Sequence, residues 1–301
     1  MIKKNLYVWA CDLSPFTGEG NLGKLYIDKK LKDKFSIRKI KSNNVKFLTH
    51  KYISPFVGIF YCWLYYLKKK EVCYLNYLPL WNLAIFVLLP PKTIIGPITG
   101  GSRFKKDNSL NYIFRKFVFP ILYIFSAYIL SFRNQKLYFS TQLLSKYFNK
   151  VNKDKLEFNF IFKAVNPVIK INKKRPIDFI IYFKNHKNKK KMYPFNLLKK
   201  LILYNFKVYV VGDYLDINGI KNLGYLNKIN LKRYLAKSKL SIISTENILS
   251  FFSIECINEG VKIISNIKKK KIDKKIQSYF IYFNTDKFFE KNKIKKLLNF
   301  Y

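Results

Sequence analysis

Residues 244–265 read STENILSFFSIECINEGVKIIS. An apolar run ends at Ser244, a polar turn holding Glu246 follows, and residues 252–260 carry apolar side chains at helical spacing up to the breaker Gly260. Residues 261–265, VKIIS, are short and β-branched. Strand, helix and strand in that order make a crossover unit, which joins strands running the same way. Working outward, the alternation predicts strands at residues 179–183, 207–211, 240–244 and 280–283 and helices at 194–205, 231–237 and 285–300.

The first half of the chain has the same pattern without repeating the sequence. Strands are predicted over residues 4–10, 35–41, 72–77, 93–97 and 136–140, and helices over 21–33, 55–69, 80–89 and 110–132. Between the halves, VNPVIKINKKRPID at 165–178 has the proline and lysine of a linker. The expected fold is α/β, with two Rossmann-like doubly wound lobes facing a central cleft. Residues 1–168 form the first lobe and 169–301 the second, with the terminal helix free to pack back on the first.

The 301 residues hold 58 Lys+Arg against 17 Asp+Glu, a net charge of +41, yet 49% are hydrophobic, far too apolar for a disordered basic tail. Only six cations are arginines, whereas base and phosphate readers favour the arginine fork, so no nucleic-acid partner is expected. An anionic membrane surface remains open as a partner, beside a general lysine bias of the composition. The cysteines Cys11, Cys62, Cys73 and Cys256 form no C-x-x-C pair and the two histidines have no zinc spacing, so no metal site is expected and a reducing compartment is. No export signal is read at the amino end. The apolar runs 79–91 and 118–132 are shorter than the ~20 residues that span a bilayer and read as core helices. Attachment to a membrane would then rest on charge and exposed aromatics, without a spanning helix, and salt should reverse it.

Gly18-Glu19-Gly20-Asn21-Leu22-Gly23 is a literal G-x-G-x-x-G between the first strand and first helix. A nicotinamide site also needs an acid after the next strand, where the chain reads KIKSNN at 39–44. Two other readings stay open: a packing turn, or a helix start facing an anionic or sugar ligand near Gly20. In the loop after the strand at 93–97, Gly96, Thr99, Gly100 and Gly101 could offer bare amides and a hydroxyl to phosphate or sugar oxygens, or form a simple turn. In residues 244–265, amides at the helix start (Ser250, Phe251, Phe252) could receive phosphate charge, while Glu246 and Glu255 could hold sugar hydroxyls. The bland alternative is a cap acid and a surface acid.

That last segment resembles the donor-binding motif of family-4-type GT-B glycosyltransferases, S-x-x-E leading into a helix with E-A-x-x-x-G and a final apolar strand. Glu255 and Gly260 match at the family separation, and Glu246 matches if a one-residue bulge is allowed. Lys184 and Lys189 after the strand at 179–183 resemble the two cations that hold the donor diphosphate, with lysine where the family has arginine. Asn222-Leu223-Gly224-Tyr225-Leu226 resembles the stretch whose backbone meets the nucleobase. The resemblance implies a retaining, metal-independent hexosyl transfer in cell-envelope polysaccharide synthesis, from a nucleotide-sugar substrate to a saccharide or lipid-linked acceptor. It needs no cofactor, and no D-x-D occurs in the chain. Glu255, Glu246, Lys184 and Lys189 would act on the reacting groups; Gly20, Gly224, Tyr225, Ser250, Phe251 and Phe252 would bind donor; Gly96, Thr99, Gly100 and Gly101 would line the cleft. The expected place is the cytoplasm, peripheral on the inner face of the plasma membrane. The rivals are a nicotinamide-dependent Rossmann oxidoreductase and a non-enzymatic basic module that binds membrane or nucleic acid.

Overall fold

The computed structural model describes residues 3–40, 53–101, 104, 106, 109–167, 175–186, 192–244, 249–265, 274, 276–282 and 290–299. The chain divides into two compact units, Met1–Ser102 with Lys106–Lys163, and Arg103–Lys105 with Ala164–Tyr301.

In the first unit, strands β1 (Lys4–Trp9), β2 (Phe35–Lys39), β3 (Glu71–Tyr74) and β4 (Ile94–Ile95) pair in the order β2-β1-β3-β4, all parallel. Leu6, Val8 and Trp9 of β1 and Val72, Cys73 and Tyr74 of β3 are buried, as expected of strands covered on both faces. The connecting helices are α1 (Gly18–Tyr26), α2 (Ser54–Leu67) and α3 (Leu83–Leu88), and a further helix, α4, runs over Leu110–Ser131. The chain then adds a short pair, β5 (Leu137–Tyr138) with β6 (Leu156–Glu157), linked to the loop after β4 by an Ile98–Phe139 bridge.

The helix expected over 110–132 forms as α4, with a π-turn at Phe114–Val118 inside it. Its burial departs from the sequence reading, because it is no core helix. Tyr123, Ser126, Ala127 and Leu130 are buried, while Ile121, Ile124, Phe125 and Tyr128 on its other side are exposed. Likewise α3 buries Ile85 and Phe86 but leaves Val87 and Leu88 outside.

In the second unit, β7 (Ile177–Phe183), β8 (Val208–Gly212), β9 (Lys221–Asn222), β10 (Ser238–Ile242), β11 (Lys262–Ser265) and β12 (Phe280–Tyr282) form a parallel sheet of order β12-β11-β10-β7-β8-β9. Central β7 is buried on both faces through Phe179, Ile180, Ile181 and Phe183, with Phe179 opposite Val208 on one side and Leu240 on the other. Helices α5 (Phe195–Leu203), α6 (Lys228–Ala236) and α7 (Phe251–Asn258) connect the strands, and α8 (Lys291–Asn299) closes the unit. The apolar stripe of α8 lies in this unit's own core, where Ile294 and Leu298 join Phe179, Val210 and Leu240. Arg175 fastens the entry to β7 by donating to the carbonyls of Ser238 (2.7 Å) and Glu259 (2.9 Å). Before it, Asn258 at the end of α7 donates to Ala164 O and accepts from Asn166 N.

Both sheets are doubly wound. The order reverses beside β1 in the first unit and beside β7 in the second, and ligands of such sheets bind at the carboxyl ends of the strands flanking that reversal.

Candidate functional site

In the second unit the reversal lies between β7 and β10. Lys184 follows β7 directly and is exposed. One strand over, Asp213 follows Gly212, whose φ of 105° and whose Cβ position, 2.3 Å from Phe183 O, admit only glycine. Asp213 gathers the neighbouring loops: its amide donates to Phe183 O (3.0 Å), and its carboxylate accepts from Asn185 N (2.6 Å) and from the Tyr225 hydroxyl (2.5 Å). Gly224 O accepts from Gly212 N at 2.9 Å. Lys184, Gly224 and Tyr225, distant in sequence, are thus grouped around one acid. The Tyr225 hydroxyl first, then the Asn185 amide and the Lys184 charge, hold the Asp213 carboxyl below its ordinary range, and the same bond pushes the Tyr225 hydroxyl up to about 12. Sequence reading missed Asp213. Its signal was an acid just past the end of a predicted strand, KVYVVGD.

A cavity of about 820 Å³ opens beside this cluster, lined by Phe183, Asn185, Lys199, Asp213, Leu215 and Asp216 among others. Its two carboxylates can accept from ligand hydroxyls, and Lys199 adds one cation.

On the β10 side, Ser250 caps α7, accepting from Ser253 N at 3.1 Å, and Gly260 ends the turn beyond it at φ 69°. Two of the expected donor contacts are therefore structural. Ser250 is engaged by its own helix, and Phe252 is buried with its ring 5.7 Å from that of Tyr182 on β7. Phe251 beside them is half-buried. Glu255, one turn on, is different. Its Oε1 lies 3.6 Å from Lys228 Nζ, whereas its Oε2 is buried and has no hydrogen-bond partner among the described residues. A buried carboxylate oxygen without a donor is costly, and a ligand hydroxyl would satisfy it. Glu259, further along the same helix end, is buried close to Arg175. Glu246 and Lys189 lie outside the described residues.

The first unit holds a second cluster, at the carboxyl ends of β1 and β3. Asp12 accepts from Ser14 N (2.6 Å) and from the hydroxyl of Thr17, the residue that caps α1. Buried Asn76, after β3, donates to Asp12 O and accepts from Asp12 N. Glu19, in the first turn of α1, accepts from Tyr77 N at 3.4 Å and from the Thr99 side chain. Burial pushes its carboxyl above the ordinary range despite those two bonds, and Asp12 adds to the shift. Glu19 stood inside a glycine pattern that drew attention to its neighbours instead.

Gly20 and Gly23 answer to packing, while a Cβ on Gly18 would meet open space. All three, Gly18, Gly20 and Gly23, lie within α1 instead of in a turn before it, and a Cβ on Gly20 would sit 2.1 Å from Ser14 O. The dinucleotide turn, which places its glycines ahead of the helix, is not formed. The loop at 96–101 is no amide cradle either. Gly96 N donates to Tyr74 O (2.8 Å), Ile98 N to Tyr138 O (2.7 Å), Thr99 N to Leu78 O (2.9 Å) and Gly101 N to the Tyr123 hydroxyl (3.4 Å). A Cβ on Gly96 would stand 1.9 Å from Leu75 O, and Gly100 and Gly101 have φ of 129° and 73°. Only the Thr99 hydroxyl of this loop reaches a candidate group, through Glu19.

No family model and no curated protein matches the sequence. Solved structures do resemble the chain. They include the UDP-GlcNAc 2-epimerase of Methanocaldococcus jannaschii, 10% identical over 99% of this chain and 92% of that one with a TM-score of 0.43. A glycosyltransferase from Rickettsia africae is 13% identical over 87% and 79%, with a TM-score of 0.44. The Escherichia coli heptosyltransferase WaaC with ADP-2-deoxy-2-fluoro heptose is 10% identical over 86% and 87%, at 0.31. The fold is α/β with two Rossmann-like units, an assignment that the two strand orders carry.

Proposed function

We propose that the protein is a nucleotide-sugar-dependent glycosyltransferase of the GT-B kind, acting on a saccharide or lipid-linked acceptor of the cell envelope. The observation that carries the reading is Glu255: a carboxylate one turn into the helix after β10, beside the sheet reversal, with one oxygen buried and no donor for it among the described residues. Ribose or hexose hydroxyls are the donors such a site takes. Lys184, exposed at the carboxyl end of β7, supplies the cation for a departing diphosphate, with Lys189 assigned by its place in the same turn. Asp213 holds Tyr225 and the backbone of Asn185, next to Lys184, and Glu246 is assigned to the transferred sugar.

Retention of configuration, with the leaving diphosphate taking the acceptor proton, accords with the resemblance. Proton NMR of the fresh product checks retention.

The reading is tested by thermal shift of the full chain with nucleoside diphosphates, their sugars and nicotinamide dinucleotides. A ligand at 100 times its Kd adds ~2.7 kcal/mol. The diphosphate sugars should raise the melting temperature of the wild type and much less that of Glu255→Gln. A shift with nicotinamide dinucleotides alone, or equal shifts in both proteins, overturns it.

A further inference from the structure

Helix α4 is 22 residues long and by length and composition apolar enough to cross a membrane, but only 22% of its most apolar 18-residue stretch is buried within the protein. The buried side, Tyr123, Ala127 and Leu130, belongs to the first unit's core and cannot leave it without unfolding that unit. The other side is a stripe of exposed apolar residues at helical spacing: Phe114, Phe117, Ile121, Ile124, Phe125 and Tyr128. Two helices in contact with one another or with α4 extend it. α3 packs on α4 and exposes Val87 and Leu88; α2 packs on α3 and exposes Phe56, Phe60 and Leu67. Trp63 of α2 donates to Leu88 O at 2.7 Å, and Trp81 stacks on Phe119 at 5.4 Å, both tryptophans being partly exposed. Contiguous exposed apolar surface of this kind marks an interaction site.

Charge identifies what covers it. Between Asp33 and Asp154 the sequence contains two acids, Glu71 and Asp107. None lies in α2, α3 or α4. Cations stand at the ends of the face: Lys68, Lys69 and Lys70 after α2, and Lys92 after α3. Apolar side chains in the middle, tryptophans among them and lysines at the margin match the layers of a bilayer with anionic headgroups.

We propose that the face formed by α2, α3 and α4 docks into one leaflet of an anionic lipid bilayer, α4 lying in the membrane plane without crossing it. The inference is independent of the glycosyltransferase reading. It also revises the salt-reversible attachment expected from the sequence, because apolar insertion resists salt.

The full chain is mixed with phosphatidylcholine vesicles with and without phosphatidylglycerol, and binding is read by flotation. The protein's three tryptophans include Trp63 and Trp81 on the face and Trp9 in the core. Lipids brominated near the headgroup end of the acyl chain should therefore quench part of the emission. Binding should need phosphatidylglycerol and persist in high salt once formed. Ile121→Gln with Phe125→Gln, which leaves charge unchanged, should weaken it roughly tenfold to a hundredfold and abolish the quenching. Leu203→Gln with Ile229→Gln, exposed apolar residues of the second unit, should change neither. Circular dichroism and melting temperature check that each variant is folded. Complete release by salt, binding of the α4 variant equal to wild type, or a stable dimer in lipid-free buffer that the α4 substitutions dissociate would each overturn the proposal.

Discussion

Arg133 follows α4 and is buried, and its guanidinium donates to four carbonyls at the end of α3: Phe86 (3.1 Å), Leu89 (3.0 Å), Pro90 (3.1 Å) and Pro91 (3.3 Å). It therefore closes the carboxyl terminus of one helix from the tail of another. Each bond to a charged donor is worth ~1.5–3 kcal/mol, a gross ~6–12 for four. Against that stands the cost of burying the guanidinium, which also lowers its pKa. Arg133→Met removes the burial cost but leaves several carbonyls without a donor, and the expected net loss is ~3–5 kcal/mol, as when one partner of a buried charged pair is deleted. For a unit of this size each kcal/mol lowers the melting temperature by ~2–4 °C, so calorimetry should show the first unit melting roughly 6–20 °C lower. The second unit's transition should stay put. Arg175→Met should do the reverse, since Arg175 holds only carbonyls of the second unit. Arg133→Lys should recover little, because one ammonium cannot reach four acceptors in a fork. A drop below ~1 kcal/mol for Arg133→Met, or full rescue by lysine, would refute the reasoning.

Three further outcomes follow from the clusters described above. Gly20→Ala should cost at least ~2–3 kcal/mol in chemical denaturation, because the new Cβ meets the Ser14 carbonyl at 2.1 Å; an unchanged midpoint would show that the α1 entry can yield. Glu19 has a raised pKa, so its contribution to stability is complete below its ordinary value of 4.5 and is lost as pH rises through the raised value. Glu19→Gln should therefore gain on the wild type across that window in thermal unfolding, and a gap independent of pH would contradict the assignment. Lys184→Ala should lower kcat by roughly 100- to 1000-fold with Lys184→Arg recovering much of it, while exposed Lys237→Ala stays near wild type; equal losses would make Lys184 an ordinary surface charge.

What the sequence disclosed depended on whether a residue type has one physical use or several. The parallel fold was legible because strands, caps and breakers have few alternative readings: Ser250 and Gly260 bracket α7 as their chemistry requires. Glycine was ambiguous. It marks a place where a Cβ will not fit, and Gly96 under Leu75 O and Gly20 under Ser14 O satisfy that demand without any ligand. In α4 nearly every residue is apolar, so hydrophobic periodicity says nothing about which side is buried, and the reading of a core helix failed there. Asp213 and Glu19 look like ordinary loop acids in the sequence. Only the packing of β7 against β8, and of β1 against β3, brings Tyr225, Asn185, Asn76 and Thr99 around them.

The bonds from Asn258 to Ala164 and Asn166 also set a clock. They span 94 and 92 residues, and central β7 awaits β10, which begins at Ser238. At ~5–20 residues per second on the ribosome, roughly 5–20 s separate the appearance of Ala164 from that of its partner. The four-stranded sheet of the first unit has all its strands by Ile95, and α4 is complete at Ser131. The apolar face is therefore made while the second unit is still an open chain, and its first encounters are those of a nascent protein.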